Sequence, residues 1–255
     1  MSKEMENDLK LLWEKEAQLD MHGWNFDHLK GRWLNKEMPW DYRKIVLKYL
    51  KQDASLLDMA TGGGELLLSF KHNTARTSVT ESWLPNIKVI KERLLPLGIK
   101  IYPTKTEEEL PIKDDSVDFI TNSHAAFNAA SVYKKLHTGG FFITEQVGAT
   151  NNFSLSRYLD ESYTPPYPES TLLNSIINLK SAGFEILLAK QSFPELIFFD
   201  VGAVVYYATV IPWEFKNFNV DQCFDKLLNL QKLIDANQYI STNEDRFIIV
   251  ARKRA

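Results

Sequence analysis

Short apolar runs alternate with longer amphipathic stretches from residue 54 onwards. Apolar runs of this kind, bounded by turn residues, are typical of buried parallel strands, and the helical periodicity between them predicts helices. The predicted strands are Leu56–Met59, Thr77–Thr80, Ile99–Tyr102, Val117–Thr121, Phe141–Glu145, Phe184–Lys190 and Arg246–Ala251. The predicted helices are Glu65–Phe70, Leu84–Leu95, Ala126–Leu136 and Ser170–Ser181. This alternation predicts a doubly wound α/β sheet.

The first part of the chain has a different, more polar pattern. Residues 1–18 are charged and predict a helix, and a second helix is predicted at about Trp40–Leu50. We therefore interpret residues 1–52 as an N-terminal helical extension and residues 53–255 as the main domain.

One segment interrupts the alternation of strands and helices, and a second segment is a glycine-containing turn between a helix and a strand. Helices at about Val201–Ile211 and Val220–Ala236 predict a helical insertion at about residues 195–243, before the last strand. The segment His137–Gly140 contains two glycines and is predicted to end one helix and turn into the next strand.

Composition and charge narrow the class of protein. With 255 residues, 44% of them hydrophobic and 25% charged, the chain fits one large α/β domain with a full core. The net charge of −3 argues against a long phosphate-tracking surface, so nucleic acid is not the expected partner. The basic run Arg252–Arg254 is interpreted as a solvated tail, with a local basic patch as the alternative. A single cysteine, Cys223, cannot form an internal disulfide, and no Cys/His cluster has zinc-ligand spacing. No metal site is predicted.

The chain contains one long apolar stretch, Leu196–Trp213, whose length is at the lower edge for a membrane span. Asp200, Gly202 and Pro212 within it favour a buried or pocket-lining helix instead. Residues 1–18 lack the apolar core of a secretory signal. We expect a cytoplasmic protein without a membrane segment, and the pattern indicates no particular oligomeric state.

The candidate chemistry lies in the segment LLDMATGGGEL, residues 56–66. A predicted strand enters a turn with three consecutive glycines, Gly62–Gly64, and a predicted helix leaves it. Glycine permits a positive φ and lets a ligand approach the backbone closely. In an open α/β sheet such a turn lies at the carboxyl ends of the strands, where ligands bind. We favour a ligand-binding turn over a tight turn that is glycine-rich for structural reasons alone.

The residues that follow the turn argue against two common phosphate-binding motifs. A P-loop requires Gly-Lys-Ser/Thr, whereas this chain has Gly64, Glu65 and Leu66. A dinucleotide fingerprint that starts at Gly62 requires a glycine where Leu67 stands. No phosphate cradle is therefore predicted.

The turn resembles motif I of the class I S-adenosylmethionine-dependent methyltransferases, an acidic residue followed by Gly-x-Gly-x-Gly. Asp58 matches the acid, Gly62 and Gly64 match the second and third glycines, and Ala60 stands where the first is usual. Later segments resemble the family's pattern in the same order: Val79–Glu81, Glu107–Ile112, Asp115–Ile120 and Leu136–Phe141. The whole pattern is similar to bacterial methyltransferases of the small-molecule type.

The resemblance implies a fold, a cofactor and a set of binding residues. The fold is the Rossmann-like class I methyltransferase fold, a seven-stranded, mostly parallel sheet with the last strand antiparallel and helices on both faces. The cofactor is S-adenosylmethionine, whose ribose hydroxyls Glu81 is expected to bind and whose adenine is expected near Thr106, which replaces the usual aspartate. The expected cofactor-binding residues are Asp58, Ala60, Thr61, Gly62, Gly64, Glu81, Thr106, Glu107, Asn122 and Ser123.

The methyl acceptor is expected to be a small molecule. Asn122–Phe127 lacks the two prolines that amino-methylating nucleic-acid enzymes carry here, and Cys223 is not near the site as a cytosine C5 enzyme requires. His124 is the candidate general base, since histidine exchanges protons near neutral pH; lining the cofactor site or capping the next helix are its alternative roles. Other acceptor candidates, with hydrogen bonding in loops or aromatic packing as alternatives, are Gln146, Asn151, Asn152, Tyr206, Tyr207 and Trp213.

Members of this family often close the site with N-terminal helices, so the resemblance also implies a lid within residues 1–52. Its candidate aromatic residues are Trp24, Phe26, Trp33, Trp40 and Tyr42. Three alternative functions stay open: a ribosomal or transfer RNA methyltransferase, a catalytically silent S-adenosylmethionine-binding protein, and a nicotinamide-dependent dehydrogenase.

Overall fold

A computed structural model of the chain describes residues 2–21 and 26–254, so the predicted lid residue Trp24 lies outside the described residues. In chain order the helices are α1 (Lys3–Glu16), α2 (Tyr42–Tyr49), α3 (Glu65–Ser69), α4 (Leu84–Leu94), α5 (Ala129–Lys135), α6 (Phe153–Leu159), α7 (Leu172–Ser181), α8 (Val201–Val210) and α9 (Val220–Asn237). The strands are β1 (Trp33–Asn35), β2 (Leu56–Met59), β3 (Thr77–Glu81), β4 (Lys100–Pro103), β5 (Val117–Ser123), β6 (Leu136–Val147), β7 (Phe184–Ser192), β8 (Glu195–Phe198), β9 (Ile240–Asn243) and β10 (Arg246–Lys253).

The described residues form two compact units, each assembled from separate stretches of chain. Unit 1 comprises residues 1–38, 149–169 and 192–245, and unit 2 comprises residues 39–148, 170–191 and 246–255. Residues 39–52, which we had interpreted as part of the N-terminal extension, thus belong to unit 2, and the remainder of that extension belongs to unit 1.

Unit 2 contains a seven-stranded sheet in the order β4-β3-β2-β5-β6-β10-β7. Strands β2 to β6 pair in parallel with their neighbours, whereas β10 runs antiparallel to β6, with Ile249 opposite Thr144. The predicted mostly parallel sheet with an antiparallel last strand is confirmed.

Both faces of this sheet are covered by helices because successive strand side chains point to opposite faces. Leu56 and Phe119 belong to an apolar cluster that includes buried residues of α2 and α4. Leu57 and Ile120, each one position further along the same strands, belong to a second cluster that includes residues of α5 and α7. The prediction of helices on both faces is confirmed as well.

The start of β6 differs from the sequence prediction. His137–Gly140, predicted as a turn between a helix and a strand, lies inside β6, which begins at Leu136 immediately after α5. The pairing of β6 with β5 shifts register between Val117 and Phe119, and Gly139 has a φ of 82°. A local irregularity in the strand therefore accommodates the glycines, and the prediction of a separate turn is wrong.

Unit 1 contains helices around a small antiparallel sheet in the order β1-β8-β9. The prediction of a purely helical insertion missed β8 and β9. Its two helices are found as α8 and α9, and nearly all of α8 is buried.

The long apolar stretch Leu196–Trp213 is divided between two elements. Its first residues complete β8, and α8 begins after Asp200, whose carboxylate accepts a hydrogen bond from the backbone N–H of Ala203 at 2.7 Å. The interpretation of the whole stretch as one helix is wrong, because the chain breaks at this cap. Within residues 2–21 and 26–254, none of the helices combines the length and the apolar character needed to cross a membrane.

Candidate functional site

The glycine turn joins β2 to α3 in unit 2 and is built from left-handed residues. Ala60, Gly62 and Gly64 have φ values of 49°, 62° and 83°. The backbone N–H of Thr61 donates to the carbonyl of Thr80 at 3.0 Å, which attaches the turn to β3. A Cβ added to Gly62 would meet no atom within 4 Å, so the space beside this residue is open. The turn therefore presents accessible backbone at the carboxyl end of β2.

Asp58 lies buried beneath this turn at 7% exposure. Its Oδ1 accepts a hydrogen bond of 2.5 Å from Thr121 Oγ1 on the neighbouring β5. Burial raises the pKa of Asp58 to about 6, although the hydrogen bond from Thr121 opposes the shift. The predicted acidic residue is thus a buried carboxyl group that connects β2 and β5.

Glu81 ends β3 and is hydrogen-bonded to the glycine turn. Its Oε2 accepts from the backbone N–H of Gly62 at 2.8 Å, and its Oε1 accepts from the N–H groups of Ser82 and Trp83, both at 2.9 Å. Asn86 Nδ2 approaches Oε2 at 3.4 Å. The two acids that the sequence singled out, Asp58 and Glu81, are therefore found beside the same turn.

Thr106 and Glu107 follow β4 in an exposed segment. Glu107 Oε2 accepts a hydrogen bond of 2.9 Å from the backbone N–H of Ala126, in the segment that follows β5. The carbonyl of Thr106 accepts from the N–H of Glu109 at 3.3 Å. These contacts bring the segments after β4 and β5 together.

The end of β5 carries a buried polar network. Asn122 Oδ1 accepts hydrogen bonds from Thr144 Oγ1 at 3.0 Å and from Gln146 Nε2 at 2.5 Å. Gln146 Nε2 also donates to the carbonyl of Ala125 at 2.9 Å. Asn122 Nδ2 is buried and has no hydrogen-bond partner among the described residues, whereas Ser123 is half-buried. The sequence predicted that Gln146 binds the methyl acceptor. In the structure, Gln146 is buried in the sheet and holds the side chain of Asn122 in place.

His124 follows β5 directly and adopts a left-handed backbone with a φ of 60°. Its backbone N–H donates to the carbonyl of Glu145 at 2.8 Å, and its Nε2 lies 3.6 Å from Glu145 Oε2. Trp40 Nε1 donates to the other oxygen of Glu145 at 2.6 Å. Although burial acts to raise the pKa of Glu145, the interactions with His124 and Trp40 hold it below its ordinary value.

The other residues that were predicted to bind the methyl acceptor belong to unit 1. Asn151 Nδ2 donates to Glu214 at 3.0 Å, and Asn152 Nδ2 donates to the hydroxyl of Tyr207 at 3.0 Å. The ring of Tyr206 is buried, whereas Trp213 is 39% exposed. Their role in binding an acceptor stays a prediction.

The predicted lid residues are divided between the units. Phe26 and Trp33 belong to unit 1, where both rings contact Tyr207. Trp40 and Tyr42 belong to unit 2, where the hydroxyl of Tyr42 donates to the carbonyl of Asn122 at 3.1 Å.

Sequence reasoning missed several residues around the site. The sequence predicted Thr121, the partner of Asp58, and Glu145, the partner of His124, only as strand residues. It assigned no role to Trp83, which is half-exposed and whose backbone N–H bonds Glu81. The strand-end positions of Thr121 and Glu145 were a usable signal, because the carboxyl ends of parallel strands lie at one edge of a sheet.

Comparison with known proteins identifies the fold. Neither a protein-family model nor a curated protein sequence matches the chain. A Bacillus halodurans protein described as a candidate methyltransferase is 17% identical, with a TM-score of 0.57 over 84% of this chain and 99% of that one. The YcgJ protein from Bacillus subtilis is 18% identical, with a TM-score of 0.56 over 84% and 98%. The cyclase SpnF is 15% identical, with a TM-score of 0.52 over 99% and 95%.

Similarity at these identities establishes the fold. The strand order of unit 2 and these matches give the Rossmann-like fold of the class I methyltransferases. Because SpnF is a cyclase, the fold alone does not determine the reaction.

Proposed function

We propose that this chain binds S-adenosylmethionine at the carboxyl edge of the unit 2 sheet and transfers its methyl group to a small-molecule acceptor. The observation that carries the proposal is the contact between Glu81 and the glycine turn, in which Glu81 Oε2 lies 2.8 Å from the backbone nitrogen of Gly62. A carboxylate can accept hydrogen bonds but cannot donate them. The carboxylate of Glu81 lies beside the backbone of the glycine turn, which a ligand can approach. Two neighbouring ribose hydroxyls suit such a carboxylate.

The surrounding residues fit the rest of the cofactor. The open space beside Gly62 lets a bound molecule contact the turn, whose backbone at Ala60, Thr61 and Gly64 would line it. The unpartnered Nδ2 of Asn122 is a buried donor in need of an acceptor. We assign Thr106, Glu107, Asn122 and Ser123 to cofactor binding on this basis, with Asp58 supporting the turn from below.

For methyl transfer, the main contribution of the protein is to orient the two reactants. S-adenosylmethionine supplies a methyl group on a positively charged sulfur, which a nucleophile displaces in line. The chain contributes alignment of the two reactants and exclusion of water. His124 is the proposed general base where the acceptor loses a proton.

A small molecule is the proposed acceptor class for two reasons. The net charge of −3 disfavours a nucleic-acid surface. The segment after β5 also lacks the paired prolines that the amino-methylating nucleic-acid enzymes carry.

Calorimetry with S-adenosylmethionine and S-adenosylhomocysteine tests the cofactor assignment. Glu81→Gln keeps the size of the side chain but removes its charge, so the loss of two charge-assisted hydrogen bonds to the ribose should weaken binding by about tenfold to several hundredfold. The matched control is Asp118→Asn, which changes a carboxylate that bonds Ser55. Asp118 is in β5, near the opposite end of the strand from His124, and its variant should bind normally.

Three results would overturn parts of this proposal. Unchanged affinity in both Glu81→Gln and Asp58→Ala would refute the assigned site. Binding of nicotinamide dinucleotides in place of S-adenosylmethionine would favour a dehydrogenase. Tight cofactor binding without transfer of labelled methyl groups into small-molecule, RNA or protein fractions would favour a silent binding protein.

A further inference from the structure

His124 and Glu145 are brought together by strand pairing in unit 2. Ser123 at the end of β5 lies opposite Glu145 in β6, so the next residue, His124, can reach it with both backbone and side chain. The backbone bond measures 2.8 Å, and the distance from His124 Nε2 to Glu145 Oε2 is 3.6 Å. The second distance is an ion-pair separation, and such contacts often shorten when a substrate binds.

The backbone of His124 is held in an unfavourable conformation. A φ of 60° places a residue with a Cβ in the left-handed region, which costs about 1 kcal/mol or more. Such conformations persist only where the surrounding structure imposes them, and they are concentrated at functional sites. Here the imposing contact is the backbone bond to Glu145.

Glu145 is itself anchored. Its side chain is 15% exposed, whereas that of His124 is 45% exposed. The 2.6 Å bond from Trp40 Nε1 occupies the carboxylate oxygen that does not face His124. An anchored carboxylate therefore supports an imidazole that solvent and substrates can reach.

Shortening of this contact to a hydrogen bond would define the tautomer of His124. An ionised carboxylate only accepts hydrogen bonds, so the nitrogen that faces it, Nε2, would carry the hydrogen. Nδ1 is then the nitrogen with a free lone pair.

We propose that Glu145, held by Trp40, positions His124 as a general base with Nδ1 as the proton acceptor, and that the methylated group of the acceptor carries a proton that it must lose, as a hydroxyl does. The inference rests on the proposed methyl transfer and specifies its acceptor. Glu145 and Trp40 are positioning residues, because they act through His124.

With a hydroxyl as the acceptor group, the transfer to oxygen balances in atoms and charge. An oxygen lone pair forms the new C–O bond as the methyl–sulfur bond breaks, and the sulfur retains that electron pair as a neutral thioether. The hydroxyl proton moves to His124 Nδ1, so the positive charge lost from sulfur appears on an imidazolium beside Glu145. A neutral amine has a free lone pair and needs no such base, whereas an ammonium group or a thiol must lose a proton as a hydroxyl does.

The first test measures which ring nitrogen of His124 carries the hydrogen, and it needs no methyl acceptor. In Glu145→Gln the Oε1 oxygen still accepts from Trp40, whereas the amide NH₂ faces His124 and donates, so the proton should move from Nε2 to Nδ1. Nitrogen-15 spectra of the histidine rings at a pH where they are neutral should show the Nε2–H form in the wild type and the Nδ1–H form in the variant. His137 is the internal control, since it is also 45% exposed and its Nδ1 lies 2.9 Å from Asp118. Its spectrum should not change, and an unchanged His124 tautomer in Glu145→Gln would overturn the positioning role.

The second test uses S-adenosylmethionine with a labelled methyl group and a small-molecule cell extract as the acceptor source. The label should appear in products of proton-bearing acceptor groups, such as methyl ethers, and kcat should fall by about a hundredfold or more in His124→Gln and at least about tenfold in Glu145→Gln. The affinity for S-adenosylmethionine should be unchanged in both, and His137→Gln should have wild-type activity. Glu145→Asp, which restores the carboxylate, should recover part of kcat. Label in methyl esters, which form from carboxylates that have no proton to lose, or in no small molecule, would overturn the requirement for a base.

The two proposals can fail separately. A wild-type protein that does not bind S-adenosylmethionine refutes the proposed function, whatever the tautomer of His124. Normal cofactor binding combined with full transfer by Glu145→Gln refutes the role of Glu145 alone.

Discussion

At the scale of single residues, Ala60 shows how the glycine turn departs from its usual composition. Its φ of 49° is a conformation that glycine adopts at lower cost. The sequence indicates the substitution, and the structure shows that the turn keeps its left-handed shape despite the added Cβ. Its backbone N–H donates to Thr80 Oγ1 at 3.1 Å, which helps to hold this shape.

Ala60→Gly should therefore stabilise the protein. Relief of the left-handed strain outweighs the extra chain entropy of glycine and should raise the free energy of unfolding by about 0.5–1 kcal/mol. Urea denaturation measures the difference. Gly62→Ala is the opposite change at a φ of 62° and should destabilise the protein; a lower stability of Ala60→Gly would contradict the argument.

The carboxyl group of Asp58 stabilises the fold in its protonated form. Its pKa rises from an ordinary value of 3.8 to about 6, so the folded state binds this proton more tightly than the unfolded state. The stabilisation is complete below about pH 4 and is lost as the pH rises through about 6.

Asp58→Asn should consequently become more stable relative to the wild type as the pH rises. The difference in unfolding free energy between variant and wild type should increase by roughly 2 kcal/mol from pH 4 to pH 7. Asparagine still accepts the hydrogen bond from Thr121, so the comparison isolates the charge. Urea denaturation of both proteins across this pH range measures the change, and a constant difference would show that Asp58 does not titrate as inferred.

At the scale of elements, local patterns predicted the positions of the parallel strands well and several strand boundaries poorly. The predicted Leu56–Met59 is β2 without change, because every residue of this strand is buried and turn residues follow it. In contrast, β6 begins at Leu136 and β8 lies in an apolar stretch that was interpreted as helix. Both errors concern strands whose extent depends on partners distant in sequence.

The boundary between β8 and α8 depends on Asp200. This residue caps α8, and its carboxylate oxygens also lie 2.6 and 3.0 Å from the guanidinium of Arg32. Asp200→Ala removes the cap and the ion pair and should lower the free energy of unfolding by about 1–2 kcal/mol. Asp200→Asn keeps a capping oxygen and should lose less than half of that. Equal losses in the two variants, measured by urea denaturation, would contradict the capping role.

At the scale of the whole molecule, the chain alternates between the two units. Each unit is assembled from three separate stretches, so no continuous segment of sequence corresponds to either. The proposed cofactor residues all belong to unit 2, whereas five of the six proposed acceptor residues belong to unit 1.

Cofactor binding should stabilise unit 2 by mass action. S-adenosylhomocysteine at a hundred times its Kd should add about 2.7 kcal/mol to the stability of the state that binds it. Hydrogen exchange should slow most at the backbone amides of Gly62, Ser82 and Trp83, which surround Glu81. Adenosine is the control and should protect the same amides less. Protection confined to amides elsewhere in the chain would contradict the assigned site.

The sequence by itself determined the sheet class, the glycine turn, and Asp58 and Glu81 as its neighbouring acids. These features depend on local periodicity and on short motifs, which residues adjacent in the chain define. Only the tertiary structure decided which side chains meet. Asp58 bonds Thr121 across 63 positions, and Trp40 bonds Glu145 across 105. Contacts of that range depend on strand order and register, which local patterns do not encode, and His124 acquires its partner in the same way.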